Sequence, residues 1–550
     1  MERLKKIPKI YWLLLFVAFT GIVGIFYNYG MIAGGLDESL KVGPTLKFFR
    51  DFHLRNEYSS YPPMALLLEV PLIALVFLGY LFLGIGDLSQ LKELVIVDTY
   101  KLVPYFRFTT IIFGLVAVFV FYKICLLLFK KERPALIGAY LLTVSLLFVQ
   151  QIHIAGTWVE QTMMILIALY YFLTLLNRKK WHIGVFVISA LLIVFSVEIE
   201  PVGLIAIVPF FLIYFQKRKE TGMKNEPFNL FIFFLTFVLG ILLFIYIDPV
   251  TFREYFSFAN QVASVGFKET IYGQGLLGRF FGFFEISFLL EPFLLILFFF
   301  GLLAAYKKDR FLFKIFGSYI LVYYLILGPL TGGFVERRIL LAIPALAVFS
   351  AFFLEHLITQ YQNRGIKKFL YAGLLILLLN PILFNFALLK GSSYIKARNW
   401  VYKNIEANAF IRDDCWLELN ENQEVLTEIR NDYPQLLTAR RKYLLDNPHI
   451  LSFQKGYFVV RESDIVKNMD KGRFQYLVLC YSNENEKQKL LSHFNGMNKK
   501  IIYSSLADKK SFAAVDLFSL INFSDLKNFG IEKLLSASYH GPHFEIYQFL

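Results

Sequence analysis

The chain has 550 residues, 57% apolar and 18% aromatic, with a formal net charge of +14 and a mean hydropathy of +0.54. Soluble globular domains run nearer about 45–50% apolar, so the composition excludes an ordinary soluble enzyme and requires a chain that lies mostly in lipid. The basic excess does not imply nucleic acid. It falls between apolar runs, where it sets topology and meets anionic lipid head groups.

Residues 10–29 carry no charge and, at about 1.5 Å per residue, are long enough to cross a bilayer. No small-residue cleavage site follows, so the run reads as a retained anchor. Arg3, Lys5, Lys6 and Lys9 hold its start in the cytoplasm. The acidic pair Asp37-Glu38 therefore emerges on the far side. Two adjacent carboxylates at a membrane surface suit proton abstraction or cation binding.

Further apolar runs fall at 63–84, 104–123, 135–153, 161–176, 183–199, 202–215, 228–247, 284–305, 314–331, 338–355 and 370–389. Between them lie Lys130-Lys131-Glu132-Arg133, Arg178-Lys179-Lys180, Lys217-Arg218-Lys219, Lys307-Lys308-Asp309-Arg310, and Arg364 with Lys367-Lys368. These basic clusters share one side only if 63–84 does not make a full crossing. We therefore expect 63–84 to be a half-inserted part of the first outer loop, which is allowed where protein buries the backbone. About eleven spans follow, with a cytoplasmic N-terminus and an extracytoplasmic C-terminus. The transmembrane module covers 1–389, with external loops at 30–103 and 248–283. In the latter, Tyr272-Gly273-Gln274-Gly275 permits a mobile lid.

Beyond Lys390 the composition turns polar and charged, and residues 390–550 suffice for one α/β domain outside the membrane. Residues 395–405 read as an amphipathic helix with Ile395, Trp400 and Val401 on or near one face. Residues 476–480 and 544–550 read as strands. Cys125 lies in an apolar run. Cys415 and Cys480 are able to pair outside the cell, although they share no repeating spacing.

The ionisable residues placed at the outer face are Asp37, Glu38, His153, Glu160, Glu198, Glu200, Glu336, Arg337 and Arg338. Charges near hydrocarbon are costly, which makes each a functional candidate. The competing explanation is an interfacial, solvated or snorkelling side chain.

Gly35-Leu36-Asp37-Glu38, followed by Tyr61-Pro62-Pro63 and an apolar stretch, resembles the first external loop of GT-C glycosyltransferases. The pattern is most like that of the protein O-mannosyltransferase and lipid A aminoarabinose-transferase relatives. Arg107 with Leu128-Phe129-Lys130-Lys131, and Trp158-Val159-Glu160, resemble later family features in the same order. So do Glu336 to Leu346, with its arginines before an apolar-proline run, Ala397 to Val401, and Gly541 to Tyr547. Three features depart from the pattern: glutamate at 160 where aspartate is commoner, Ile339 for a tyrosine, and no lysine within Glu198 to Pro201. They bear on the donor more than on the reaction class.

The resemblance implies a polytopic α-helical GT-C-like membrane fold with an appended C-terminal α/β domain. It also implies transfer of a sugar from a polyprenyl-phosphate donor to a lipid, glycan or protein acceptor, usually with inversion. On that reading Asp37 is the base, Glu38 orients or tunes it, and Glu160 is the second acid. Arg337 or Arg338 holds the donor phosphate, and Tyr61, Tyr272 and His153 belong to the acceptor or lid region. A divalent metal (Mg, Mn or Zn) held by Asp37 and Glu160, and a metal-free route assisted by lysine or arginine, both fit. The competing class is a transporter or lipid flippase that uses the outer carboxylates as an ion or proton site. Transporters usually carry internal repeats, and none is evident.

Overall fold

Long stretches of Leu, Ile, Val and Phe can satisfy their main-chain polar groups in lipid only by coiling. In this computed structural model they do so. The structure describes residues 8–25, 36–51, 63–96, 99–178, 181–221, 226–249, 253, 284, 287–288, 290–327, 336–361, 363–389, 393–415, 417, 419–450, 455–460, 474–481, 484–494, 497–505 and 543–549. The helices in order are α1 (Lys9–Ile22), α2 (Leu36–Asp51), α3 (Pro63–Phe82), α4 (Leu88–Ile96), α5 (Val103–Phe129) and α6 (Glu132–Val144). Then come α7 (Leu146–Ile152), α8 (Trp158–Leu175), α9 (Ile183–Ile199), α10 (Ile207–Thr221) and α11 (Glu226–Ile247). Helices Pro292–Lys308, Ile343–Gln360, Arg364–Ile376 and Leu379–Leu388 complete the apolar part.

Among the described residues, seven helices are long and apolar enough to cross a membrane, or eight if the bent pair α6 and α7 counts as one. About eleven were expected from apolar runs. The shortfall lies in short helices: α1 has 14 residues, and α9 and Pro292–Lys308 have 17 each. Residues 310–327 are interrupted by wide turns at Phe313–Gly317 and Tyr323–Leu327. The run 135–153 breaks at Ser145, where the axis bends by 62°. Glu291 spans that break, its Oε1 accepting from Ser145 Oγ at 2.6 Å and from the Leu147 amide at 3.0 Å.

The expected half-inserted stretch 63–84 instead contains one continuous 20-residue helix, α3, which carries Pro71 internally. By length and composition α3 qualifies as a span. Pro71 does not break α3, because an internal proline removes one donor but need not interrupt a helix that packing supports.

The chain divides into two compact units. The first comprises Met1–Ile25, Leu40–Val76 and Tyr105–Asn385. In it Gly301 of Pro292–Lys308 lies so near the Phe349 main chain of Ile343–Gln360 that a Cβ would collide. The bidentate pair of Arg133 with Glu355 joins α6 to the same helix.

The second unit comprises Phe26–Ser39, Phe77–Pro104 and Phe386–Leu550. Its five-stranded sheet runs β2 (Phe458–Val460), β1 (Phe410–Asp413), β3 (Tyr476–Tyr481), β5 (His543–Phe549), β4 (Lys499–Ser504). β1 is parallel to β2 and β3, while β5 is antiparallel to β3 and β4. Adjacent pairing of β1 and β3 brings Cys415 to Cys480, and the two form a disulfide. The expected amphipathic helix is Ser393–Asn404, but its buried stripe is Ser393, Ala397 and Val401, at i and i+4 spacing. Ile395 and Trp400 are only half-buried. Lys92 of α4 lies over the Tyr443 ring at 5.2 Å.

Candidate functional site

Helix α2 opens on Leu36-Asp37-Glu38, and helical spacing puts Asp37, Lys41 and Thr45 on one line, four residues apart. Lys41 and Thr45 are fully buried, Glu38 is 2% exposed, and Thr45 Oγ1 bonds back to the Lys41 carbonyl at 2.9 Å. The side chain of Asp37 lies outside the described residues.

Lys41 enters a pocket built by three other helices. Its Nζ stands 2.5 Å from Glu160 Oε1 in the first turn of α8 and 2.9 Å from Glu69 Oε2 in α3. Thr110 Oγ1 of α5 lies 3.4 Å away, so three acceptors surround an ammonium with three donors. Thr109 Oγ1 donates to Glu69 Oε1 at 2.5 Å, and the Phe113 ring centroid is 5.4 Å from Nζ. The side chains of Lys41, Glu69 and Glu160 have no exposed surface.

A buried charge persists only when paired and hydrogen-bonded. Burial opposes the Lys41 ammonium, yet the charges of Glu160 and then Glu69 outweigh it and hold its pKa above the ordinary value. Glu160 gains further support from the positive end of α8. Two carboxylates face one ammonium, so the cluster carries an excess negative charge or one additional proton. Among the described residues Glu160 Oε2 has no hydrogen-bond partner.

Several of the other expected site residues have partners of their own. His153 is 1% exposed. Its Nδ1 lies 2.6 Å from Val149 O, and its Nε2 lies 2.8 Å from Thr20 O and 2.9 Å from Val23 O. Both ring nitrogens thus face main-chain oxygens. Glu198 Oε2 accepts the Met64 amide at 2.7 Å and Glu200 Oε1 accepts from Thr157 Oγ1 at 3.3 Å. Arg337 and Arg338 are half-buried in the turn Glu336–Leu341, and the Arg338 carbonyl accepts from Tyr323 Oη. Tyr61 and Tyr272 lie outside the described residues, as does the Glu336 side chain.

Lys41 and Glu69 were not among the expected site residues, although each left a sequence signal. Glu69 is a lone carboxylate inside an apolar run, and Lys41 follows Asp37 at helical spacing. Of the expected metal ligands, Glu160 has the Lys41 ammonium at its Oε1, and the Asp37 side chain lies outside the described residues. Among the described residues no group of three or more His, Cys, Asp or Glu is placed to hold a metal ion.

No protein-family model matches the sequence, and no curated protein matches it. Among solved structures, the chain is similar to ArnT from Cupriavidus metallidurans bound to undecaprenyl phosphate. That match has 12% identity and a TM-score of 0.48, and covers 90% of this chain and 97% of that one. The apo state of the same protein matches with 12% identity and a TM-score of 0.44, covering 90% of this chain and 96% of that one.

Proposed function

We propose that this chain is an integral-membrane glycosyltransferase that moves a sugar from a polyprenyl-phosphate donor to an acceptor on the extracytoplasmic side. One observation carries the reading: the helix that opens on Asp37-Glu38 is fixed one turn later by a buried lysine held between two carboxylates from other helices. Such expense around an acidic pair is typical of a working site. The ordered sequence strings that resemble GT-C glycosyltransferases support the same reading.

In the reaction, the acceptor oxygen bonds to the anomeric carbon as the bond from that carbon to the phosphate oxygen breaks. The transition state is oxocarbenium-like, and Asp37 takes the acceptor's proton. Polyprenyl phosphate leaves with the electron pair, and Arg337 or Arg338 stabilises its charge. Glu38 orients or tunes Asp37. Single displacement inverts the anomeric centre.

The experiment is turnover by purified protein in lipid nanodiscs, with polyprenyl-phosphate hexoses and pentoses as donors and membrane glycolipid extract as acceptor. Acceptor-dependent release of polyprenyl phosphate with an inverted product supports the reading. Movement of intact lipid-linked sugar between leaflets, with no release, would replace it with a flippase.

A further inference from the structure

The turn that bears Arg337 and Arg338 is gripped by two tyrosines from another segment of the first compact unit. Residues 310–327 coil with two wide turns, Phe313–Gly317 and Tyr323–Leu327, on either side of the α-helical stretch Ser318–Val322. Wide turns of this kind are rare and concentrate at functional positions. Tyr319 and Tyr323 are four residues apart, and their rings lie 6.5 Å from each other and nearly parallel. Both are buried, and a buried phenol needs a partner for its O–H. Tyr319 Oη donates to Leu341 O at 2.9 Å, and Tyr323 Oη donates to Arg338 O. Pro344 has no N–H to return to Leu341 O, three residues earlier, and Tyr319 supplies a donor there. Tyr324, next in the chain and also buried, has a different partner: its Oη lies 2.8 Å from Ser287 Oγ.

We infer that Tyr319 and Tyr323 are positioning residues whose hydroxyls fix the main chain bearing Arg337 and Arg338, and so strengthen the hold on a polyprenyl phosphate. They touch no substrate and act through the arginines. A guanidinium on a fixed backbone has less freedom to lose when phosphate binds, and the saving appears as affinity. The inference rests on the transferase reading for the arginines' task. The grip on the turn rests on the two hydrogen bonds alone.

Hydrogen exchange on the full chain in nanodiscs reads the grip without any assay of transfer. In Tyr319→Phe and Tyr323→Phe, amides within 336–342 should exchange about tenfold faster or more. Tyr324→Phe removes an equally buried hydroxyl bonded elsewhere, and should leave those amides unchanged. Titration with polyprenyl phosphate reads the consequence. Its Kd should rise about 5–10-fold in Tyr323→Phe and stay within about twofold of wild type in Tyr324→Phe. Combined with alanine at the arginine that binds phosphate, Tyr323→Phe should weaken binding no further, because it acts through that arginine. If Tyr323→Phe does not fold, Tyr319→Phe serves in both measurements. Unchanged exchange within 336–342 overturns the grip. Weakening by Tyr324→Phe equal to that by Tyr323→Phe overturns the positioning role, since any lost buried hydroxyl would then do the same. Full additivity with the arginine variant overturns it too. Wild-type affinity in both Arg337→Ala and Arg338→Ala would count against the phosphate role given to the arginines in the transferase reading, and exchange would still decide the grip.

Discussion

The Lys41 ammonium lies 2.5 Å from Oε1 of Glu160, a residue 119 positions further along the chain, and neither side chain has exposed surface. Because Glu69 shares the same ammonium, the cluster is asymmetric: one cation serves two acids. Removing the cation is therefore worse than neutralising an acid. Lys41→Met leaves two buried carboxylates facing each other and should cost about 3–5 kcal/mol. Glu160→Gln leaves a one-to-one pair with Glu69 and should cost only about 1–3 kcal/mol. Thermal and denaturant unfolding in detergent measure both. Equal losses would show that the charge excess is compensated by something other than Lys41.

Asp37→Asn keeps the shape of the side chain and removes the proposed proton acceptor. Transfer should fall by roughly 10²–10⁴-fold, with expression and melting temperature near wild type. Glu38→Gln should be milder in rate but costlier in stability, since Glu38 is 2% exposed. Purified Asp37→Asn with activity within a few-fold of wild type would remove Asp37 as the base.

On the proposed reading, Arg337 or Arg338 holds the donor phosphate. Alanine at the residue that binds it should raise the donor KM, and lysine should restore binding only in part, because an ammonium cannot make the paired contact of a guanidinium. Titration of polyprenyl phosphate against each variant checks this. Wild-type affinity in both alanine variants would place the anchor elsewhere.

His543 gives the C-terminal sheet a pH dependence of definite sign. Burial first, with the Lys487 charge adding to it and Glu545 opposing, pulls its pKa from the ordinary 6.5 down to about 4. The unfolded chain thus binds a proton that the folded domain refuses. The contribution of His543 to stability is full above pH 6.5 and is lost as pH falls from 6.5 toward about 4. Pulse proteolysis of the full chain across that range should show the C-terminal fragments becoming sensitive, and His543→Phe should flatten the curve. A curve of unchanged shape in that variant would assign the sensitivity to another group.

Much of this protein was legible in one dimension. Uncharged runs identify lipid-facing helices because backbone in hydrocarbon must coil, and period-two patterns at 476–480 and 544–550 identify strands that proved to be neighbours. The string around Glu160 drew attention to an acid that the structure buries against Lys41. Hidden from that reading was everything that depends on distance across the fold. Lys41 meets Glu69 and Glu160 because α2, α3, α5 and α8 pack together, and no local pattern reports that Glu160 lies against a residue 119 positions away. His153 was read as an outer-face candidate, and the structure sets it against the carbonyls of Thr20 and Val23 at the end of α1, 133 and 130 residues earlier. Sequence alone determined which segments are apolar helices and where acids fall relative to them, since hydropathy is a sum over local composition. Tertiary structure decided which acids are paired, because the worth of a buried charge is set by whichever counter-charge the packing brings within a few ångströms.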